Sequence, residues 1–434
     1  MQAAVLSDDM AYVTDVQYNV FGQATQTTYG NGTVTTNTYD STNGRLMGIK
    51  TVDASNTTLQ DLHYTYDSIG NILTIVDNKN TASQTFQYDE LNRLVTANGA
   101  TYGAKTYDYD KVGNIESKDG KVYSYAENGA GPHAVTSLSD GSTYSYDLNG
   151  NMKSKTVTGS LTSYSYSTEN RLTSVVKSGA TIAQYTYDGD GGRTRAVITT
   201  AGQSATTVSI GSIYEETAGI PTRNIFLGGQ RVASVSATGA YFYLTDHLGG
   251  TNVLTDSTGV KKELIEYDPF GSYSRHEKYG TSDEVARFYF TGKKLDGDTG
   301  LYFFEARFYD PSLGRFITPD TLIQSPSNPQ TFNRYSYCGN NPVNRIDPSG
   351  HKWSWTKFWH AAVGAIVGVT AAILLGPVAL GGTGFFATAW GAAAFGGALG
   401  GAITGGLDGG WKGALIEINR DRRYFLSKDL NLDV

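Results

Sequence analysis

The 434-residue chain has a single cysteine, Cys338, and six histidines. One thiol cannot close an internal disulfide, which excludes a disulfide-stapled scaffold. No Cys/His cluster has zinc-site spacing, so no metal is expected. Charged residues make up only 17% of the chain, and 34 Lys+Arg stand against 41 Asp+Glu, for a net charge of -7. Phosphate binding needs concentrated positive charge, so no nucleic-acid partner is expected for the main body. The opening MQAAVLSDDM has no basic segment leading into an apolar run, and so is not a Sec signal peptide. Export by another route is expected, or else the chain is the C-terminal piece of a longer one. The Gly-rich DGDGGR (188–193) lacks the strand–GxxxxGK–helix context of a phosphate loop and reads as a turn, so no cofactor is expected. Lone Cys338 reads as a buried inert thiol. His247, in TDHLGG, reads as a hydrogen-bonded structural residue.

What the chain does have is tyrosine and glycine, 30 and 52 residues. With so little charge, this composition points to an all-β repeat protein. Tyr18, Tyr39, Tyr66, Tyr88, Tyr109, Tyr125, Tyr146, Tyr166 and Tyr187 recur at spacings of 21, 27, 22, 21, 16, 21, 20 and 21. Most carry a second aromatic two residues earlier, such as Tyr64, Phe86, Tyr107 and Tyr164. An i, i+2 pair faces one side of a strand, so stacked units should build an aromatic ladder. After the anchor comes a turn, as in YDSIGNI (66–72), YDELNRL (88–94), YDKVGNI (109–115) and YDLNGNM (146–152). Asp can accept backbone N–H bonds at its first position, and Gly or Asn follows three residues later, where positive φ is needed. Each unit is therefore expected to be a β-hairpin. A lone hairpin is marginal in water, so the units should join into one continuous curling antiparallel sheet.

The YDxxGN and YDxxNR units resemble the YD repeats of RHS proteins, a family that includes Tc toxin C components, bacterial wall-associated proteins and teneurins. The resemblance implies a mainly β fold in which the sheet spirals into a shell. Nine units are few for a closed shell, so a partial shell is expected. Residues 243–350 are more specific. They hold YLTDHLGGTNVLTDSTG (243–259), EYDPFG (266–271), FTGKKLDGDTGLYFFEARFYDPSLGRFITPD (290–320) and NRYSYCGNNPVNRIDPSG (333–350). This order is similar to the RHS repeat-associated core domain. The expected organisation is a YD-repeat sheet over 1–235, the core domain over 236–351 and a variable C-terminal region over 352–434.

Read physically, DPSLGRF and NNPVNRIDPSG are turn-rich loops. Asp320 and Asp347 are 27 residues apart, and the sequence does not say whether they meet. The resemblance implies an aspartic protease acting in cis on its own chain. Its catalytic residues would be Asp320 and Asp347, Arg315 would serve for positioning, and the cut would fall at His351–Lys352. Two close carboxylates share a proton, which lets one activate water and the other polarise a carbonyl. The chain departs from common relatives at His351, where many carry Leu, and at Thr321, where Pro is common. Teneurins keep the shell without this cleavage.

From Ala361 to Leu407 there is no charge, and 13 of the residues are Gly. Residues 361–380 and 385–407 are each long enough to cross a bilayer as a helix. Gly364/Gly368, Gly396/Gly400 and Gly397/Gly401 have the spacing of close helix packing. Trp353, Trp355, Trp359 and Trp411 flank the run. A membrane-inserting helical hairpin is expected, and a Gly-rich core buried in the shell is the alternative.

Two functional readings follow. In the first, a secreted or cell-surface toxin-delivery protein encloses its own C-terminal passenger and cuts it free. Its partners would be that passenger, a target-cell membrane and an immunity protein. In the second, a teneurin-like adhesion protein binds surface glycans, keeps the C-terminal region as a membrane anchor and is not cut.

Overall fold

Each tyrosine anchor closes a strand. The computed structural model describes residues 11–280 and 287–354. In it, Val34–Tyr39, Thr58–Tyr66, Gln84–Tyr88, Gly103–Tyr109, Lys121–Tyr125, Thr143–Tyr146, Ser160–Tyr166 and Ala180–Tyr187 all end on the anchor. At six of these eight anchors the chain then turns on an Asp, whereas Ala126 follows Tyr125 and Ser167 follows Tyr166. Asp67 Oδ1 accepts from the N–H groups of Ile69, Gly70 and Asn71 at 3.1, 2.7 and 2.8 Å. Asp147 Oδ1 does the same for Asn149 and Asn151, both at 2.9 Å. Three residues after the Asp, Gly70, Asn92, Gly113 and Gly150 have φ of 102, 60, 83 and 86°, as the turn chemistry requires. At the anchor the register slips by one residue. Thr65 faces Thr74, for example, whereas Tyr66 faces Ile72. Such a bulge adds local twist, and its repetition bends the sheet the same way at every unit.

The described residues fall into two compact units. The first comprises 11–16, 26–225 and 232–354. Within it, antiparallel strands pair with their sequence neighbours, for instance Leu46–Val52 with Thr58–Tyr66 and Ser160–Tyr166 with Leu172–Lys177. The ribbon curls enough to bring early strands beside late ones. Asn31 Nδ2 donates to Thr255 Oγ1 at 3.0 Å, and Gln60 Nε2 to Asn252 Oδ1 at 2.9 Å. Of the second unit, residues 17–25 and 226–231 are described. Asn19 Oδ1 caps a turn by accepting from Phe21 and Gln23, both at 3.0 Å, and the Arg231 guanidinium lies 4.7 Å from the Phe226 ring centre.

The two aromatics of a unit do different jobs. The earlier ring is core: Tyr64, Phe86, Tyr107, Tyr123, Tyr144, Tyr164 and Tyr185 are all buried. The anchor ring reaches back to the preceding unit and donates its hydroxyl to a backbone carbonyl where the return strand starts. Tyr66 reaches Leu46 at 2.6 Å, Tyr88 reaches Ile72 at 2.8 Å, Tyr109 reaches Leu94 at 2.7 Å, Tyr166 reaches Met152 at 2.8 Å and Tyr187 reaches Leu172 at 2.7 Å. Burial pushes these phenols up, Tyr66 to about 12 and Tyr166 well above the usual value, so they stay protonated donors.

Residues after 287 supply the other half of the core. Lys294–Leu295, Tyr302–Phe303, Phe308–Asp310 and Arg315–Phe316 form a small antiparallel sheet. Leu301, Phe308, Leu313 and Ile317 pack among the buried side chains of the repeats, including Ile115, Tyr164, Leu172 and Tyr185. The expected mainly β, large antiparallel sheet is thus observed. The apolar stretches 361–380 and 385–407, expected to be helical, lie outside the described residues. No helix among the described residues is long and apolar enough to cross a membrane.

Tyr166→Phe should cost about 1 kcal/mol, the worth of one hydrogen bond whose carbonyl partner loses its donor. Tyr164→Ala should cost about 3–5 kcal/mol, because it empties a core site. Urea midpoints measure both. Equal losses would show that the two aromatics are not divided between stacking bond and core.

Candidate functional site

Asp320 and Asp347 meet at an arginine. Asp320 follows the Arg315–Phe316 strand, and its backbone is clamped to Arg334. Its N–H donates to the Arg334 carbonyl at 2.9 Å, and Arg334 Nη1 donates to its carbonyl at 3.0 Å. Asp347 sits in the same Asp-led turn that ends most repeats. Its Oδ1 accepts from the N–H groups of Ser349, Gly350, His351 and Lys352 at 3.3, 2.9, 3.1 and 3.2 Å. The turn leaves Oδ2 free to face inward. Gly350 is required here: its φ is +75°, and a Cβ would come within 2.4 Å of the Phe304 carbonyl oxygen.

The cation between them is Arg307. Its Nη2 lies 3.0 Å from Asp320 Oδ2 and 3.4 Å from Asp347 Oδ2, so the two oxygens are within the sum of those distances of each other. Nη1 donates to the Arg334 carbonyl at 2.7 Å, and Nε donates to the Gly350 carbonyl. The guanidinium lies flat on Phe316, 3.6 Å from the ring centre. All three side chains are at most 4% exposed.

Arg315, the arginine expected to position the acids, points elsewhere. It donates from Nη1 to the Tyr125 hydroxyl at 2.6 Å and from Nη2 to Asn333 Oδ1 at 2.8 Å, tying a repeat anchor to the 333 loop. Arg307 lies in EARFYD, eight residues upstream in the same block, and sequence reasoning missed it. The sequence offers two arginines of equal standing, and packing alone separates them.

Two carboxylates and one guanidinium sum to one negative charge, and burial makes that charge costly. One proton removes it. Burial accordingly raises Asp347 above the usual carboxylate range, while Arg307 and the turn N–H groups oppose the shift. Burial also lowers the Arg307 pKa.

The peptide expected to be cut lies against this pair. His351 Nδ1 is 2.8 Å from Asp320 Oδ1, and the amides of His351 and Lys352 both point to Asp347. Gln324 Nε2 donates to the His351 carbonyl at 2.7 Å. Elsewhere, Cys338 is buried and burial raises its thiol well above the usual value. His247 Nε2 lies 2.9 Å from the Val343 carbonyl, and burial lowers its pKa. Among the described residues no group of His, Cys, Asp and Glu could hold a metal ion.

Residues 210–343 match the Teneurin YD-shell family model. This stretch is similar to the teneurin YD shell. The match takes in Arg307 and Asp320 and stops short of Asp347 and His351. The chain is 33% identical over 216 residues to the tRNA nuclease WapA of Bacillus subtilis, which covers 48% of this chain and 9% of WapA. It is 36% identical over 102 residues to toxin subunit YenC1 of Yersinia entomophaga, covering 20% of this chain and 10% of that subunit. Among solved structures, the TcdB2–TccC3–Cdc42 crystal structure superposes with a TM-score of 0.64 at 21% identity, over 81% of this chain and 20% of that one. This likeness carries the fold alone. The YD-shell stretch and its neighbouring repeats thus span about a tenth of these curated relatives.

Arg307→Met should lose about 3–5 kcal/mol near neutral pH, because both buried carboxylates lose their counter-charge. The deficit should shrink as pH falls. A carboxylate whose folded pKa is raised adds stability that is complete below its unfolded value and is lost as pH rises through the folded one. Removing Arg307 raises that folded value further. Urea midpoints between about pH 5 and pH 8 test this. A deficit that does not change with pH would separate Arg307 from the acids.

Proposed function

We propose that the chain is the shell and release device of a toxin-delivery protein, and that Asp320 and Asp347 cut it once, in cis, at His351–Lys352. The observation that carries this reading is the pair of buried carboxylates on one guanidinium, with the His351 ring on Asp320 and the amide of the 351–352 peptide on Asp347. The likeness to WapA and to a Tc toxin subunit supports the toxin context.

In the proposed reaction, water is the only added reactant. Asp320 takes a proton from the water as its oxygen attacks the His351 carbonyl carbon. Asp347 supplies its proton to the Lys352 nitrogen. The C–N bond breaks, leaving a carboxylic acid on His351 and an amine on Lys352, with Asp320 now protonated and Asp347 ionised. The fold holds this peptide against the acids, so a single intramolecular turnover needs no substrate-binding step. The freed piece, residues 352–434, carries the uncharged run from Ala361 to Leu407, and its proposed target is a membrane. An immunity partner in the producing cell would be the corresponding protection. The match to the teneurin family model favours a second reading, an uncut adhesion protein that binds surface glycans.

Expression of the full chain followed by denaturing gels and intact-mass analysis separates these readings. The release reading expects a fragment of residues 352–434 from wild type and none from Asp320→Asn or Asp347→Asn. An uncut wild type would leave the adhesion reading. The freed 352–434 fragment should release dye from liposomes at micromolar concentration, and intact vesicles would argue against a membrane target.

A further inference from the structure

We infer that Gln324 is a catalytic residue of this self-cleavage, the donor that receives the developing oxyanion on the His351 carbonyl. The inference rests on the self-cleavage reading and adds to it the group that stabilises the transition state.

A peptide carbonyl attacked by water becomes an oxyanion, and a preorganised N–H aimed at that oxygen stabilises it more than it stabilises the ground state. The two carboxylates meet the His351 ring and the 351 and 352 amides, and neither is hydrogen-bonded to the His351 carbonyl oxygen. Arg307 is not bound to that oxygen either. Its Nε is bound to the Gly350 carbonyl, one peptide upstream, its Nη1 to the Arg334 carbonyl, and its Nη2 to the acids. Gln324 Nε2 is 2.7 Å from the His351 carbonyl oxygen. The amide cannot be reversed at this contact, because its oxygen would then face another acceptor.

The loop that delivers Gln324 is anchored on the acid itself. Leu322 N–H donates to Asp320 Oδ1 at 3.0 Å, and Thr331 Oγ1 closes the loop by donating to the Ser325 carbonyl at 2.6 Å. Gln324 lies two residues beyond the residue held by Asp320. Three side chains thus divide the atoms of one peptide. Asp320 holds the His351 ring, Asp347 meets the Lys352 nitrogen and Gln324 meets the carbonyl oxygen. The Gly350–His351 bond lacks this division, since its carbonyl is held by Arg307.

The test is pulse-labelled cell-free synthesis of the full chain, following the appearance of the C-terminal fragment and its N-terminal residue by mass. Gln324→Met removes the N–H at similar size. Gln324→Glu keeps the shape and puts an acceptor in its place. Gln330→Met, a neighbouring amide without a bond to the 351 carbonyl, is the control. The inference expects a wild-type fragment beginning at Lys352. Release should slow on the order of a hundredfold in both Gln324 variants, as for loss of one oxyanion donor. The Gln330 variant should cleave at the wild-type rate, and urea midpoints should be matched throughout. Cleavage at the wild-type rate in either Gln324 variant overturns the inference and leaves self-cleavage standing. So does a fragment beginning at His351, since the attacked carbonyl would then be the one on Arg307. No fragment from wild type defeats the self-cleavage reading, and the inference falls with it.

Discussion

The bonds from the anchor hydroxyls of Tyr66, Tyr88, Tyr109, Tyr125, Tyr166 and Tyr187 to a carbonyl of the preceding repeat set the geometry on which the rest depends. A hairpin by itself is marginal in water. Here the phenol of one unit caps the return strand of the unit before it, as Tyr88 does on Ile72 and Tyr109 on Leu94. A bulge beside each anchor turns that stack into a curl. Curling brings the strand containing Gln60 beside the strand containing Asn252. It also gives the residues after 287 a concave apolar face on which to pack.

That packing is what makes a buried charge cluster tolerable. Phe304, Tyr309, Phe316 and Tyr337 form one aromatic cluster, and Arg307 lies on the Phe316 ring within it. Each nitrogen of the guanidinium is engaged, on two carbonyls and two carboxylates. An arginine so placed fixes the two acids relative to one another. Because it carries one charge against two, it also leaves room for one proton. Lysine would supply the charge without the fork. The same Asp-led turn that ends a repeat presents Asp347. One carboxylate oxygen serves the turn and the other serves the site, so a structural motif becomes a chemical one without new backbone.

The local features of this protein were legible in its sequence because they depend on neighbours a few residues apart. Tyrosine spacing gave the strand ends, the Asp-led turns gave the reversals, and Gly or Asn three residues on gave the positive φ at Gly70, Asn92 and Gly150. The division of labour within each aromatic pair was not legible, since an i, i+2 pair looks alike on both members. Nor was the choice of arginine. Arg307 and Arg315 both flank short strands of one motif. Only the packing sends Arg315 to Tyr125 and Asn333 and sends Arg307 to the acids.

By itself, then, the sequence determined a β ribbon of tyrosine-bearing hairpins, and the two aspartates came from the family resemblance of the motifs around them. Only the tertiary structure decided that Asp320 and Asp347 share a cation and that His351, Lys352 and Gln324 lie against them. Periodicity and turn chemistry act over one hairpin. Bringing together side chains 27 residues apart requires a curled sheet for the closing loops to fold upon.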